Sequence, residues 1–118
     1  MFREAPGYMP AAPGPAAMRA LASAGLAIGA VDAIKTHNPF AVNDIALARD
    51  TGFAWERMNN YGSSIIWGHP QAPTGLRAVI ELIEELVLRG GGVGLFTGCA
   101  AGDSALATVI RVTDAKRH

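Results

Sequence analysis

The feature of this sequence that most constrains its fold is an amphipathic helical pattern followed directly by two β-type segments. From Gly75 to Arg89, apolar residues recur at helical spacing on one face, namely Leu76, Val79, Ile80, Ile83, Leu86 and Val87. On the opposite face, oppositely charged residues stand four apart, Arg77 with Glu81 and Glu85 with Arg89. The apolar runs Val93–Gly98 and Leu106–Val112 then have the length of strands. A helix with one apolar face needs a second layer to cover it, so the pattern predicts helices packed on a sheet.

The segments before this helix alternate between helical and strand patterns. Helices are predicted from Pro15 to Ala24 and from Phe40 to Arg49, with Gly25 and Gly52 as stops, and a strand is predicted at Val31–Thr36. The section from Asn59 to Pro73 is irregular, and loops of that length are commonly functional or disordered. We therefore predict one α/β domain with a mixed sheet packed against helices. It spans residues 14–113, between an extended lead-in at 1–13 and a tail at 114–118.

Composition narrows the classes of function. Ten basic and ten acidic residues cancel, so the chain lacks the charge expected of a nucleic-acid-binding protein. No uninterrupted apolar stretch of about 18 residues is present, and the first residues do not look like a signal peptide. A single cysteine allows no internal disulfide. These features predict a cytoplasmic, soluble protein without a nucleic-acid or membrane partner, and no metal site is predicted.

Three residues that could carry chemistry stand at the ends of predicted elements, beside Gly or Pro. They are His37, His69 and Cys99, and open α/β sheets place their sites at such strand ends. A histidine beside a thiol can take its proton, and a second histidine can hold an oxygen where negative charge develops. Taken singly, each has a structural explanation, such as a buried apolar cysteine or a surface histidine. Four polar residues between the motifs are predicted to be turn formers: Asn59, Asn60, Ser63 and Ser64. His118 is predicted to be no more than a chain end.

Three motifs resemble those of a known family. They are His37-Asn38-Pro39-Phe40-Ala41, then Gly68-His69-Pro70 before a helix, then the run Gly94-Leu95-Phe96-Thr97-Gly98-Cys99-Ala100-Ala101-Gly102. In this order and spacing they resemble the C-terminal domain of the thiolase family, over residues 14–112. Thiolases interconvert a 3-ketoacyl-CoA plus CoA with two shorter acyl-CoA thioesters. The resemblance implies a thiolase-like half-domain that acts on CoA thioesters and needs no resident cofactor.

The resemblance also implies roles for individual residues. His69 would activate a nucleophilic cysteine and help to bind the thioester oxygen, and Cys99 would move the proton at the α-carbon. His37 stands where most thiolases have Asn, as in the sterol-carrier-protein-type members, so the oxyanion role falls to it, with Asn38 as second choice. The remaining substrate-binding candidates are Phe40, Gly68 and Gly102. The turn after Cys99 has fewer Gly than is usual in the family, and Asp103 in that turn is expected to raise the pKa of the thiol.

Nothing in the sequence corresponds to the N-terminal half of a thiolase, which supplies the nucleophilic cysteine. The leading hypothesis is therefore a small subunit of a split thiolase-like acyl-CoA acyltransferase, acting in a hetero-oligomer with a chain that carries that half. Two alternatives stay open: a non-catalytic subunit that completes the fold of a thiolase-like partner, and an inactive thiolase fragment. They differ in whether His69 and Cys99 matter to activity and in whether a complementary chain exists.

Overall fold

The computed structural model describes residues 1–100 and 102–113, and within them the chain forms a sheet with helices on both faces. The strands are β1 Phe2–Arg3, β2 Ala33–His37, β3 Gly92–Ala100 and β4 Ser104–Val112. The α-helices are α1 Pro13–Ser23, α2 Ala41–Thr51, α3 Ser64–Trp67 and α4 Thr74–Leu88. Short 3-10 helices lie at Met9–Ala11, Ile28–Ala30 and Trp55–Arg57.

The sheet is mixed, as predicted, with the strand order β1-β4-β3-β2. Strand β2 runs parallel to β3, and β4 is antiparallel to both β3 and β1. In the parallel pair, His37 lies opposite Gly98. The carboxyl ends of β2 and β3 therefore meet at one edge of the sheet, where the sequence predicted the functional residues.

Alternation along the strands sends apolar side chains to both faces of the sheet. Ile34 and Leu95 join the core shared with α1 and α2, whereas Ala33 and Phe96 pack against α4. Helix α4 approaches the sheet closely at Gly94, where an added Cβ would lie 2.9 Å from side-chain atoms of both Leu82 and Leu86. A glycine in β3 therefore lets this helix sit directly on the sheet.

Several boundaries differ from the sequence prediction, and the short helix α3 lies within the section predicted to be irregular. Part of the lead-in at 1–13 is folded, because Phe2 and Arg3 pair with Ala105 and Ser104 at the edge of the sheet. Two-residue strands carry no periodic signal, so this pairing could not be read from the sequence. Strand β3 also continues to Ala100, so Cys99 lies inside a strand and not in the turn after it. The domain boundary at residue 14 stays a prediction, and the tail at 114–118, with His118, lies outside the described residues.

The predicted apolar face of α4 was partly wrong. Leu86 is buried and Val79 packs partly against the core, but Leu76, Ile80 and Ile83 are 67%, 50% and 37% exposed. The buried stripe consists instead of Thr74, Ala78, Leu82, Glu85 and Leu86. Both predicted charge pairs form, yet Glu85 is buried, where it also accepts a 2.8 Å hydrogen bond from Asn60. Helical periodicity located the helix but not the side of it that the fold buries.

Candidate active site

His37, His69 and Cys99 meet at the shared carboxyl edge of β2 and β3. His37 is the last residue of β2, and Cys99 is the last but one of β3. His69 lies in the turn between α3 and α4, after Gly68, whose φ of 90° a residue with a side chain rarely adopts. The three residues that the sequence singled out separately are therefore brought together by the fold.

The three side chains form a connected series of polar contacts. Cys99 Sγ lies 3.9 Å from His37 Nδ1. The other ring nitrogen of His37, Nε2, lies 3.1 Å from Nδ1 and 3.2 Å from Nε2 of His69. His69 Nδ1 in turn lies 2.9 Å from the hydroxyl of Thr74 at the start of α4. His37 thus stands between the thiol and the second imidazole, with one ring nitrogen toward each.

Gly98 leaves the room that the His37 ring occupies. A Cβ at this position would lie 3.4 Å from His37 Cβ and 3.3 Å from Phe96 Cζ, closer than side chains usually approach. Phe96 is buried, so its ring has little freedom to withdraw. The same Cβ would stand 3.7 Å from His37 Nδ1, in contact with the ring.

A buried polar network holds the backbone on either side of His37. The carboxylate of Asp44 accepts hydrogen bonds from the Thr36 hydroxyl (2.6 Å) and from the side-chain amide of Asn38 (2.5 Å). Asn59 accepts a 2.8 Å bond from the Thr36 backbone N–H and donates to the Thr36 hydroxyl. Charge-assisted bonds of this kind are strong in a buried setting. Both neighbours of His37 are therefore fixed from the α2 side of the sheet.

Sequence reasoning missed several residues that support the site. Asn43 donates to Cys99 Sγ at 3.7 Å, and its Oδ1 accepts from the Phe40 backbone N–H at 3.3 Å, at the start of α2. Asp44 and Thr74 were not singled out, and Asn59 was taken for a turn former although it belongs to the network beside His37. Polar residues in the first turn of a helix that follows a motif were the available signal for Asn43 and Asp44.

The candidates for substrate binding are dispersed around this edge. Asn38 is buried and donates to Asp44, and its Oδ1 has no hydrogen-bond partner. Phe40 is exposed at the start of α2, and Gly68 and Gly102 are exposed turn residues with positive φ. An open cavity of about 220 Å³ adjoins Cys99 and is lined by His37, Thr74, Gly75, Phe96, Gly98, Ala100 and Leu106. None of these four candidates lines that cavity.

The environment sets the proton affinities of the thiol and of one imidazole. Burial lowers the pKa of His37 from its usual value of 6.5, the charge of His69 acts in the same direction, and a backbone hydrogen bond at Cys99 opposes them. Burial raises the pKa of Cys99 from 9.0, opposed by hydrogen bonds from its backbone and from Asn43. Asp103, which was expected to raise this pKa, is not among the causes of the shift, and its carboxylate accepts a 3.1 Å hydrogen bond from the Gly7 N–H. At neutral pH the site therefore holds a protonated thiol beside a neutral imidazole.

Within residues 1–100 and 102–113, no group of three or more His, Cys, Asp or Glu side chains is arranged to hold a metal ion. No helix in the same part of the chain is long and apolar enough to cross a membrane.

Comparison with known proteins identifies the family. The family profile "Thiolase, C-terminal domain" matches residues 3–112. The acetyl-CoA acetyltransferase of Syntrophomonas wolfei is 38% identical over 107 residues, which cover 89% of this chain and 27% of that protein. The 3-ketoacyl-CoA thiolase of Aliivibrio fischeri is 36% identical over 110 residues, which cover 79% and 25%. The chain thus spans about a quarter of the length of the curated relatives it matches.

Solved structures give the same result. The crystal structure of human mitochondrial 3-ketoacyl-CoA thiolase in complex with CoA has a TM-score of 0.89 and 30% sequence identity, covering 96% of this chain and 28% of that one. The peroxisomal 3-ketoacyl-CoA thiolase of Saccharomyces cerevisiae has a TM-score of 0.81 at 24% identity, which shows the fold alone. The family profile, the curated relatives and the solved structures agree, and the chain belongs to the thiolase family as its C-terminal domain.

Proposed function

We propose that this chain supplies the acid/base half of a thiolase-type acyl-CoA acyltransferase, which cleaves or forms 3-ketoacyl-CoA. The observation that carries the proposal is the convergence of His37, His69 and Cys99 at one edge of the sheet, with His37 within hydrogen-bonding reach of both other residues. A thiol, an imidazole base and a second imidazole are the groups that acyl transfer and proton transfer at a carbon acid require. CoA thioesters serve as substrates, and no resident cofactor takes part.

Each of the three residues has a separate task in this proposal. His69 takes the proton of a nucleophilic thiol on a partner chain. Cys99 exchanges a proton with the α-carbon of the thioester, and its raised pKa keeps it protonated, as a carbanion-protonating acid must be. His37 donates a hydrogen bond to the oxygen on which negative charge develops.

A partner chain is proposed because the nucleophile and much of the expected fold have no counterpart here. The one cysteine of the chain is Cys99, which is assigned to proton transfer. The yeast thiolase is described as a five-layered structure built from two core domains of identical topology. The exposed apolar stripe of α4, formed by Leu76, Ile80 and Ile83, fits a surface that a second core domain covers. We therefore propose a hetero-oligomer with a chain that carries the N-terminal half.

The assignment is tested by separating the two chemical steps in the reconstituted complex. Cys99→Ala is expected to abolish exchange of acetyl-CoA α-protons with deuterated solvent, while the partner's thiol still becomes acylated. His69→Ala is expected to slow acylation by about 10²–10⁴-fold, the cost of losing a general base. Both rates are measured by mass spectrometry, of the thioester and of the protein.

Glu56→Ala, at an exposed position in the 3-10 helix Trp55–Arg57, is the control for nonspecific loss. Parental α-proton exchange in Cys99→Ala would refute the role of the thiol. Parental rates in both Cys99→Ala and His69→Ala would favour the non-catalytic subunit, which completes a partner's fold without taking part in chemistry. Absence of any chain that restores activity would favour the inactive fragment.

A further inference from the structure

His37 contacts both groups that move protons in the proposed reaction. One of its ring nitrogens faces the Cys99 thiol, and the other faces the ring of His69. We propose that His37 is a proton relay between His69 and Cys99, so that the proton removed from the partner's thiol replaces the one that Cys99 delivers to the α-carbon. This inference rests on the proposed function and adds to it a second catalytic role for His37. Its single N–H serves the oxyanion while the tetrahedral adduct lasts and the Cys99 thiolate after the adduct has collapsed.

The relay solves a problem of proton balance in the cleavage step. When the nucleophilic thiol attacks the 3-keto carbon, its proton passes to His69, which becomes an imidazolium. When the bond between C2 and C3 breaks, the electron pair stays on the α-carbon, which takes the Cys99 proton and leaves a thiolate. The site then holds one excess proton on His69 and lacks one on Cys99. Returning the first to the second restores both residues and neutralises both charges.

A single imidazole can carry out this transfer. His69 donates its proton to His37 Nε2 while His37 Nδ1–H releases a proton to the Cys99 thiolate, and the His37 ring changes tautomer. The heavy-atom separations along the path are 3.1 Å and 3.9 Å, the second being long because sulfur is large. Condensation is the same transfer in reverse and starts from the other tautomer. When successive cycles run in the same direction, proton exchange with solvent restores the starting tautomer of His37 between them.

The surroundings of His37 favour a relay over a ring that merely fills space. Its neighbours Thr36 and Asn38 are bonded to Asp44, so the backbone cannot carry the ring away from the thiol. Gly98 provides the space in which the ring lies between Cys99 and His69. The low proton affinity of His37 suits a relay, because a relay group must not keep the proton it receives.

The chain by itself provides the first test, through alkylation of its single cysteine by iodoacetamide from about pH 5 to about pH 9. His37→Asn is expected to slow alkylation near neutral pH by about tenfold, because the thiol loses its proton acceptor. His69→Asn is expected to speed it, because removing the neighbouring charge lets His37 hold a proton more readily and so stabilise the thiolate.

The decisive comparison is the double variant His37→Asn/His69→Asn. If His69 influences Cys99 through His37, His69→Asn should not change the rate of alkylation once His37 is Asn. An equal effect of His69→Asn in both backgrounds, or no effect in either, would overturn the relay. Thermal melts check that each variant is folded, and His37→Gln repeats the comparison if His37→Asn is not.

The reconstituted complex provides the second test. There His37→Asn is expected to slow α-proton exchange more than it slows acylation of the partner's thiol, and added imidazole should restore part of the exchange rate. Equal slowing of both steps without rescue would reduce His37 to an oxyanion-binding residue. If the effect of His69→Asn depends on His37 in the chain alone but no complex is active, the proposed function is refuted and the contact between the residues is not. If the complex is active but that dependence is absent, only the relay is refuted.

Discussion

Helices α1 and α4 cover opposite faces of the same sheet, and they are packed in opposite ways. Helix α1 consists mainly of small residues and is buried along one side through Gly14, Ala16, Ala17 and Leu21. Helix α4 buries a narrow stripe around Leu82 and leaves Leu76, Ile80 and Ile83 exposed. The buried side of α1 is covered by the rest of the chain, whereas α4 keeps these apolar side chains exposed. Under the proposal of a partner chain, this side of α4 is the surface that the partner would cover.

The largest expected effect is on association of the chain through α4. Without a partner the chain should self-associate, and Ile80→Glu should weaken that association by more than tenfold, because an unpaired charge would enter an apolar contact. Met18→Glu, at an exposed apolar position on α1, is the matched control and should change little. Sedimentation velocity over a range of concentrations measures both. A wild-type chain that stays monomeric would remove the distinction between the two helices.

The next effect separates the buried and exposed sides of α4 itself. Leu82 is 0% exposed, and Leu82→Ala should lower the free energy of unfolding by about 2–5 kcal/mol through the cavity it leaves. Ile80→Ala on the exposed side should change it by less than about 0.5 kcal/mol. Urea denaturation at a low concentration of protein compares the two. Similar losses for both would mean that the exposed stripe is covered within the chain.

Glycine replacements contrast the spacing around the two helices. A Cβ at Gly14 in α1 would lie 2.8 Å from Cβ of Asp50 on α2, so Gly14→Ala should destabilise the fold by about 1–3 kcal/mol. At Gly75 in α4 the nearest such contact is Phe96 Cζ at 4.0 Å, so Gly75→Ala should stabilise it by about 0.5–1 kcal/mol. Thermal unfolding of the two variants should show shifts of opposite sign. Shifts of the same sign would contradict the tighter packing of α1.

The smallest effect concerns the pH dependence of stability. The folded pKa of His37 lies below 6.5, so the unfolded chain binds more protons there, and stability should fall as the pH drops through and below that value. The folded pKa of Cys99 lies above 9.0, so stability should also fall as the pH rises past it.

On α4, burial acts to raise the pKa of Glu81, but hydrogen bonds from Lys35 and Arg77 outweigh it and hold the pKa below 4.5. Stability from this carboxylate should therefore be lost only as the pH falls through that more acidic range. Denaturation is measured at a series of pH values. The loss of stability below pH 6.5 should be absent in His37→Asn, and the loss above pH 9.0 should be absent in Cys99→Ser. If either loss of stability persists in its variant, another titrating residue causes it.

Much of the site was predictable because its members lie in local motifs. His37, His69 and Cys99 each stand within two residues of Gly or Pro, at or near the end of an element, and that pattern is visible without a structure. The supporting residues were not predictable in this way. Asp44 accepts hydrogen bonds from Thr36, Asn38 and Asn59, which come from two other segments. No spacing in the sequence predicts that these residues meet. The pairing of Phe2 and Arg3 with β4 was missed for the same reason.

The sequence by itself determined the α/β class, the mixed sheet and the order of the longer helices and strands. Turn residues and the periods of two and 3.6 residues are local properties that survive without tertiary contacts. Only the tertiary structure decided which side of α4 is buried, and that His37 lies between the thiol and the second imidazole. Both depend on contacts between residues far apart in the chain: Lys35 from β2 binds Glu81 on α4, and Gly98 of β3 leaves room for the ring of His37. Helical periodicity defines an apolar side, but the face that meets the sheet is set by the shape and charge of what it packs against.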